Sequence, residues 1–202
     1  MRSAFRKDLH SENLLRPYLD RCYAAHGIGV ERYARTDDQL RGMDVRLTKD
    51  GRSFIVDEKA QLHYINRSLS TFALELSLMK DGTERVGWFL DTSKRTEVYA
   101  FIFDIRVHAP EERLQHPGDI ASATIVLVNR ERLQRTLAHV GLGANELQSL
   151  AHSLRDSSTR MQRVPYPGIT LLRSDRLSEA PVNLLVARKH LMEIGQVLHA
   201  VE

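Results

Sequence analysis

The chain has little sulfur chemistry to offer. Cys22 is its single cysteine among 202 residues, which excludes an internal disulfide and leaves no thiolate set for a structural zinc. A reducing, cytoplasmic setting is the simple expectation. No apolar run approaches the length needed to span a bilayer. The basic opening Met1-Arg2-Ser3-Ala4-Phe5-Arg6-Lys7 lacks the apolar segment of a secretory signal, so no membrane partner is expected. The nine histidines include no H-E-x-x-H pair. There is no G-x-S-x-G elbow, no phosphate loop and no G-x-G-x-x-G; His26-Gly27-Ile28-Gly29 reads as a helix stop. No internal repeat or low-complexity tract interrupts the chain. The lone tryptophan, Trp88, and Tyr99 have rings that stack on bases in some proteins, but core packing is the commoner role.

What is present describes a folded domain. Apolar residues make up 42% and charged residues 27%, a balance that supports a core and argues against disorder. The net charge is +3, and the 29 basic residues divide into 6 Lys and 23 Arg. Arginine forks suit phosphate, which favours a nucleic-acid partner; a coding bias accounts for the same skew equally well, and no continuous basic run is present.

Periodicity predicts a helix over 3–25, with Leu14, Leu15, Tyr18, Leu19 and Cys22 at helical spacing and Pro17 implying a kink or two pieces. Residues 31–41 are polar and carry no clear pattern. Strands are expected at 43–48, 53–60, 71–77, 96–105, 121–128, 169–173 and 182–187. Helices are expected at 130–139 behind Asn129, at 145–155 and at 188–199, with loops over 109–118 and 156–168. The order of elements is that of a mixed α/β or α+β sheet.

The most informative stretch is Lys49-Asp50-Gly51-Arg52. An Asp-Gly pair between alternating apolar runs is the strongest short hairpin signal, because both central residues must accept positive φ. A two-residue turn there pairs Lys49 with Arg52 and places Asp44 across from Asp57. Side chains alternate, so Lys59 shares the face of Asp57, and Gln61 lies in phase with both. The other face reads Met43, Val45 and Leu47 against Phe54 and Val56, with Glu58 at its end, and should bury. Like charges set directly opposite destabilise a sheet, and a divalent cation would remove that penalty. The competing account is a solvated charged face with a surface ion pair joining Asp44 or Asp57 to Lys59 or Arg46, worth about 0–1 kcal/mol.

Asp44 followed by Asp57-x-Lys59 resembles the signature of the PD-(D/E)XK, or restriction-endonuclease-like, nuclease superfamily. Arg41-Gly42-Met43-Asp44-Val45 and Val56-Asp57-Glu58-Lys59-Ala60-Gln61 read like small stand-alone bacterial members. The resemblance implies an α-β-β-β-α-β core over about 1–108 of a single domain, with 71–77 as third strand and 96–105 as fourth, and a C-terminal α/β elaboration over about 109–202. It implies Asp44 and Asp57 as ligands of Mg²⁺ or Mn²⁺, joined by the carbonyl of Glu58, with Lys59 catalytic. Gln61 and Glu75 would assist; Glu75 is the first candidate for a further acidic group and Glu12 the second. Arg46 and Arg67 would contact phosphate; His63 lies near enough to do so, but a loop histidine is more often polar surface. Met43 replaces the usual proline before the first aspartate, and the helix expected between third and fourth strands has weak support in 79–95. The implied activity is hydrolysis of DNA phosphodiester bonds, for which a homodimer would supply two sites for two strands. The other readings are a nuclease fold serving binding or assembly without catalysis, and a hydrolase of small phosphorylated molecules.

Overall fold

The computed structural model describes residues 2–108 and 114–198. In chain order these form α1 (Arg2–Ala25), β1 (Gly29–Arg32), α2 (Thr36–Leu40), β2 (Val45–Lys49), β3 (Arg52–Ala60), β4 (Thr71–Lys80), β5 (Thr83–Val86), β6 (Val98–Val107), β7 (Ile120–Asn129), α3 (Arg130–His139), α4 (Ala144–Asp156), β8 (Met161–Arg163), β9 (Ile169–Arg173), β10 (Val182–Ala187), α5 (Arg188–Ile194) and β11 (Gln196–Leu198). The class is mixed α/β, as expected, with two sheets. The chain divides into two compact units: residues 1–69, 95–130 and 195–202 form the first, and 70–94 and 131–194 the second. The loop expected at 109–118 falls in part on residues 109–113, outside those described.

The first unit is built on a six-stranded mixed sheet in the order β1-β2-β3-β6-β7-β11. Its first three strands form an antiparallel meander; β6 then runs parallel to β3, and β7 and β11 are antiparallel to their neighbours. Helix α1 lies on one face. Leu15, Leu19, Cys22 and Tyr23 of α1 are buried against Val45, Leu47, Val56, Ala100, Ile102 and Ile125. The stripe forms because i, i+3 and i+4 positions share a helix face, and each fully buried leucine contributes about 1.5–3 kcal/mol of transfer free energy. Pro17 sits inside one unbroken helix, so two shorter pieces do not form. It lies on the exposed side with Asn13, where water can satisfy the carbonyl left without its helical donor. Strand β6 is buried along most of its length, as its continuous apolar run predicts.

The second unit carries an antiparallel sheet in the order β5-β4-β10-β9-β8. Strands β4 and β5 are joined at Asp81-Gly82, both with positive φ. Helix α4 buries Leu147, Ala151 and Leu154.

Several expectations need correction. The strand expected at 71–77 forms, but it pairs with β10 and β5 rather than standing third beside the hairpin. Its apolar residues Phe72, Leu74 and Leu76 are buried in the unit that holds its partners. The place beside β3 belongs to β6, and the strand that completes the meander is β1, in a stretch with no clear pattern in the sequence. No α-helix lies between β3 and β6. The closing helix stops at Ile194; after Gly195, β11 pairs with β7 and buries Leu198. Strand β8 forms within the expected loop 156–168. Phe54 is 39% exposed rather than buried with Val56.

Candidate active site

The hairpin that carries the site has the expected register. Asp50 and Gly51 take φ of 51° and 74°, and the pairs run from Lys49↔Arg52 to Val45↔Val56. Asp44 precedes β2, and there the regular ladder gives way. Its N–H donates to the Val56 carbonyl at 3.0 Å and its carbonyl accepts the Tyr33 N–H at 3.0 Å. Its carboxylate Oδ2 accepts the Glu58 N–H at 2.8 Å. Asp44 is thus held between the end of β1 and β3, with its side chain turned toward Asp57.

Asp57 is 2% exposed. The Lys59 Nζ stands 2.6 Å from Asp57 Oδ1, and the lysine side chain is 27% exposed. In the parallel ladder Asp57 pairs with Tyr99 and Lys59 with Phe101. The site is therefore a buried carboxylate, a second carboxylate near enough to feel its charge, and an ammonium group at the opening. A solvated hairpin face with a surface ion pair is not what forms. A buried ion pair is weak evidence for stability, because desolvation offsets much of its attraction.

Electrostatics reflect this crowding. Burial, then the Asp57 carboxylate, push the Asp44 carboxyl up to about 7, against the opposing pull of Lys59 and the Glu58 N–H. Burial disfavours charge on Lys59, but Asp57 and Asp44 outweigh it and hold the ammonium above its ordinary value. Lys59 is accordingly a charged donor and not a free base in this arrangement.

A cleft of about 220 Å³ opens over these groups. Helix α1 contributes Glu12 and Arg16 to its wall and α2 contributes Thr36, Gln39 and Leu40. Glu12 also acts electrostatically on Lys59, so the structure brings it to the site. Glu75 lies in the second unit, on β4, across from Asn183, with its carboxylate accepting the Trp88 N–H at 3.4 Å. Gln61 follows β3, where its N–H donates to the Ile102 carbonyl. Arg46 is engaged with Tyr33, donating to its hydroxyl at 2.9 Å, with its guanidinium 5.7 Å from the ring centroid. His63 and Arg67 are exposed beyond β3, and Tyr99 is fully buried, stacked on Phe101.

Sequence reasoning missed Arg32, Tyr23 and Asp20. The Glu58 side chain accepts from Arg32 at 2.8 Å and from the Tyr23 hydroxyl at 3.1 Å, and Asp20 accepts from the same Arg32 at 2.9 Å. Only an assignment of β1 could have found Arg32.

Among the described residues, no group of three or more His, Cys, Asp and Glu side chains is gathered as metal ligands. Two carboxylates are nevertheless what a Mg²⁺ site requires of the protein, since that ion keeps several waters and takes phosphate oxygens from its substrate. Comparison of the chain with family models, with curated proteins and with solved structures gives no match.

Proposed function

We propose that the chain is a metal-dependent nuclease that hydrolyses DNA phosphodiester bonds, on a core of restriction-endonuclease-like type. The observation that carries this reading is the convergence of buried Asp57, Asp44 and Lys59 on one cleft. The helix, three-strand meander and following parallel strand in the first unit support the core assignment. The donor set fits Mg²⁺ or Mn²⁺: hard oxygens, two negative charges in contact, and a carboxyl pushed toward protonation when no cation offsets its neighbour. Asp44 and Asp57 would hold the ion, with the Glu58 carbonyl as a further oxygen and Glu12 at the cleft wall.

A bound divalent ion supplies charge neutralisation and an acidified water. The chain's own groups do the rest. Lys59, kept as an ammonium, donates to the scissile phosphate and stabilises the charge that develops as the water oxygen bonds to phosphorus and the bond to the leaving sugar oxygen breaks. Arg16, on the cleft wall, is placed to take a neighbouring phosphate with its fork. Asp57 fixes Lys59 through the 2.6 Å contact.

The test is cleavage of supercoiled plasmid, linear duplex and single-stranded DNA with Mg²⁺ or Mn²⁺, wild type against Lys59→Ala. Metal-dependent cleavage should fall at least a hundredfold in the variant, with circular dichroism unchanged. Equal activity in the two proteins would refute the mechanism. Retained Mn²⁺ binding without cleavage of any substrate would assign the cleft to a binding role.

A further inference from the structure

Glu58 lies between Asp57 and Lys59, yet strand alternation turns its side chain away from theirs, toward Tyr23 of α1. That side chain is 10% exposed. One carboxylate oxygen accepts from Arg32 Nη1 at 2.8 Å, and the other from Arg32 Nη2 at 3.3 Å and the Tyr23 hydroxyl at 3.1 Å. Arg32 Nε meanwhile donates to Asp20 at 2.9 and 3.1 Å, and Nη2 also reaches the Arg16 carbonyl at 3.4 Å. Tyr23 is fully buried. One guanidinium thus ties α1 to β1 and β3.

The same two backbone segments hold Asp44. The Glu58 N–H donates to its carboxylate, and the N–H of Tyr33, next to Arg32, donates to its carbonyl. The geometry points to Arg32 as a positioning residue for the site: its fork holds β1 and β3 in the spacing at which Asp44, Asp57 and Lys59 converge. The inference rests on reading the cleft as a metal-dependent site. Stability alone is a weak reason for the Arg32–Glu58 pair, whose side chains are 20% and 10% exposed, because replacing a largely buried ion pair by apolar residues of similar volume is often neutral. Lysine would supply the charge but not donors in three directions.

The test uses the full chain as wild type, Arg32→Lys, and the double variant Arg32→Met with Glu58→Met. Amide exchange at Glu58 is read by NMR and Mn²⁺ affinity by calorimetry, alongside thermal melting. In Arg32→Lys the Glu58 amide should exchange at least tenfold faster and Mn²⁺ should bind at least tenfold more weakly. The double variant, which leaves the buried Tyr23 hydroxyl without its acceptor, should melt no lower than Arg32→Lys and should not regain Mn²⁺ affinity. Wild-type exchange and affinity in Arg32→Lys would overturn the proposal, as would full recovery of affinity in the double variant, which makes the network structural only. Should Arg32→Lys fail to fold, Glu58→Gln, which keeps the shape and loses the charge, carries the same expectations. A wild-type protein that binds no Mn²⁺ overturns the metal reading instead, and the exchange comparison then decides by itself whether Arg32 holds the Glu58–Asp44 contact.

Discussion

Replacing Asp44 with Asn should make the metal-free protein more stable at alkaline pH while weakening its hold on metal. The carboxyl sits at about 7 in the folded protein against 3.8 for the ordinary side chain. A folded state that holds a proton more tightly than the unfolded state loses stability as pH rises between those two values, and the loss is complete above the higher one. At 1.36 kcal/mol per pH unit the interval sets an upper bound of about 4 kcal/mol at pH 8.5. Relaxation and water entry reduce such penalties, so a gain of about 1–3 kcal/mol is expected for Asp44→Asn. For a chain of this size that corresponds to about 3–9 °C in melting temperature. Asparagine keeps an oxygen to accept the Glu58 N–H and can donate to Asp57, so the backbone contact survives.

The assay is thermal melting of both proteins in EDTA at several values between pH 4 and 9, repeated with saturating Mn²⁺. The gap should be near zero at pH 4, widen up to about pH 7 and then level off. Mn²⁺ should raise the melting temperature of wild type and leave the variant nearly unmoved, since ligand binding stabilises only the state that binds it. An Asp44→Asn protein that is less stable than wild type at pH 8.5 in EDTA, or a gap that does not change with pH, would refute the reasoning that burial and the Asp57 carboxylate together make the Asp44 charge costly.

Two further outcomes test the frame that holds the site. Leu19, 1% exposed in the α1 contact with the sheet, should cost about 2–5 kcal/mol on change to Ala, measured by urea unfolding; a cost below about 1 kcal/mol would mean that α1 is not packed as described. Gly51, with φ of 74° and open space around its Cβ position, should cost only about 1–2 kcal/mol on change to Ala through backbone strain, with Mn²⁺ affinity unchanged because the turn lies far along the hairpin from Asp44.

The hairpin was legible because three independent signals agree there. Asp50-Gly51 demands a turn of one hand, alternation assigns the faces, and the length of each run sets the register, so Asp57 and Lys59 fall on one face by counting. The strands at 169–173 and 182–187 were legible for a similar reason: short apolar runs bounded by turn residues. What was not legible depended on partners distant in sequence. Gly29-Val30-Glu31-Arg32 has one branched apolar residue and forms a strand because β2 offers it a ladder. Thr71–Lys80 has a clear strand pattern, but alternation does not say which sheet a strand joins; its neighbours β10 and β5 do.

The same division explains the acidic candidates. Glu75 stands out in the sequence because it lies on the polar face of the strand following the hairpin, which points to the site only if that strand is next in the same sheet. Once β4 pairs in the second unit, that premise is gone and proximity in sequence carries no information about the site. Glu12 lies on α1, which covers the sheet face beside β3 through contacts more than thirty residues apart, and it lines the cleft. Residues joined by local geometry were therefore readable as a set, whereas those delivered by packing, Glu12, Arg16 and Arg32 among them, required the fold. For a site of this kind the carboxylates and the lysine are a property of one hairpin, and what holds them at working distance is a property of α1 and β1. Substitutions at Asp57 or Lys59 should accordingly remove chemistry and leave the fold, while substitutions at Arg32 should loosen the geometry and leave the ligands in place.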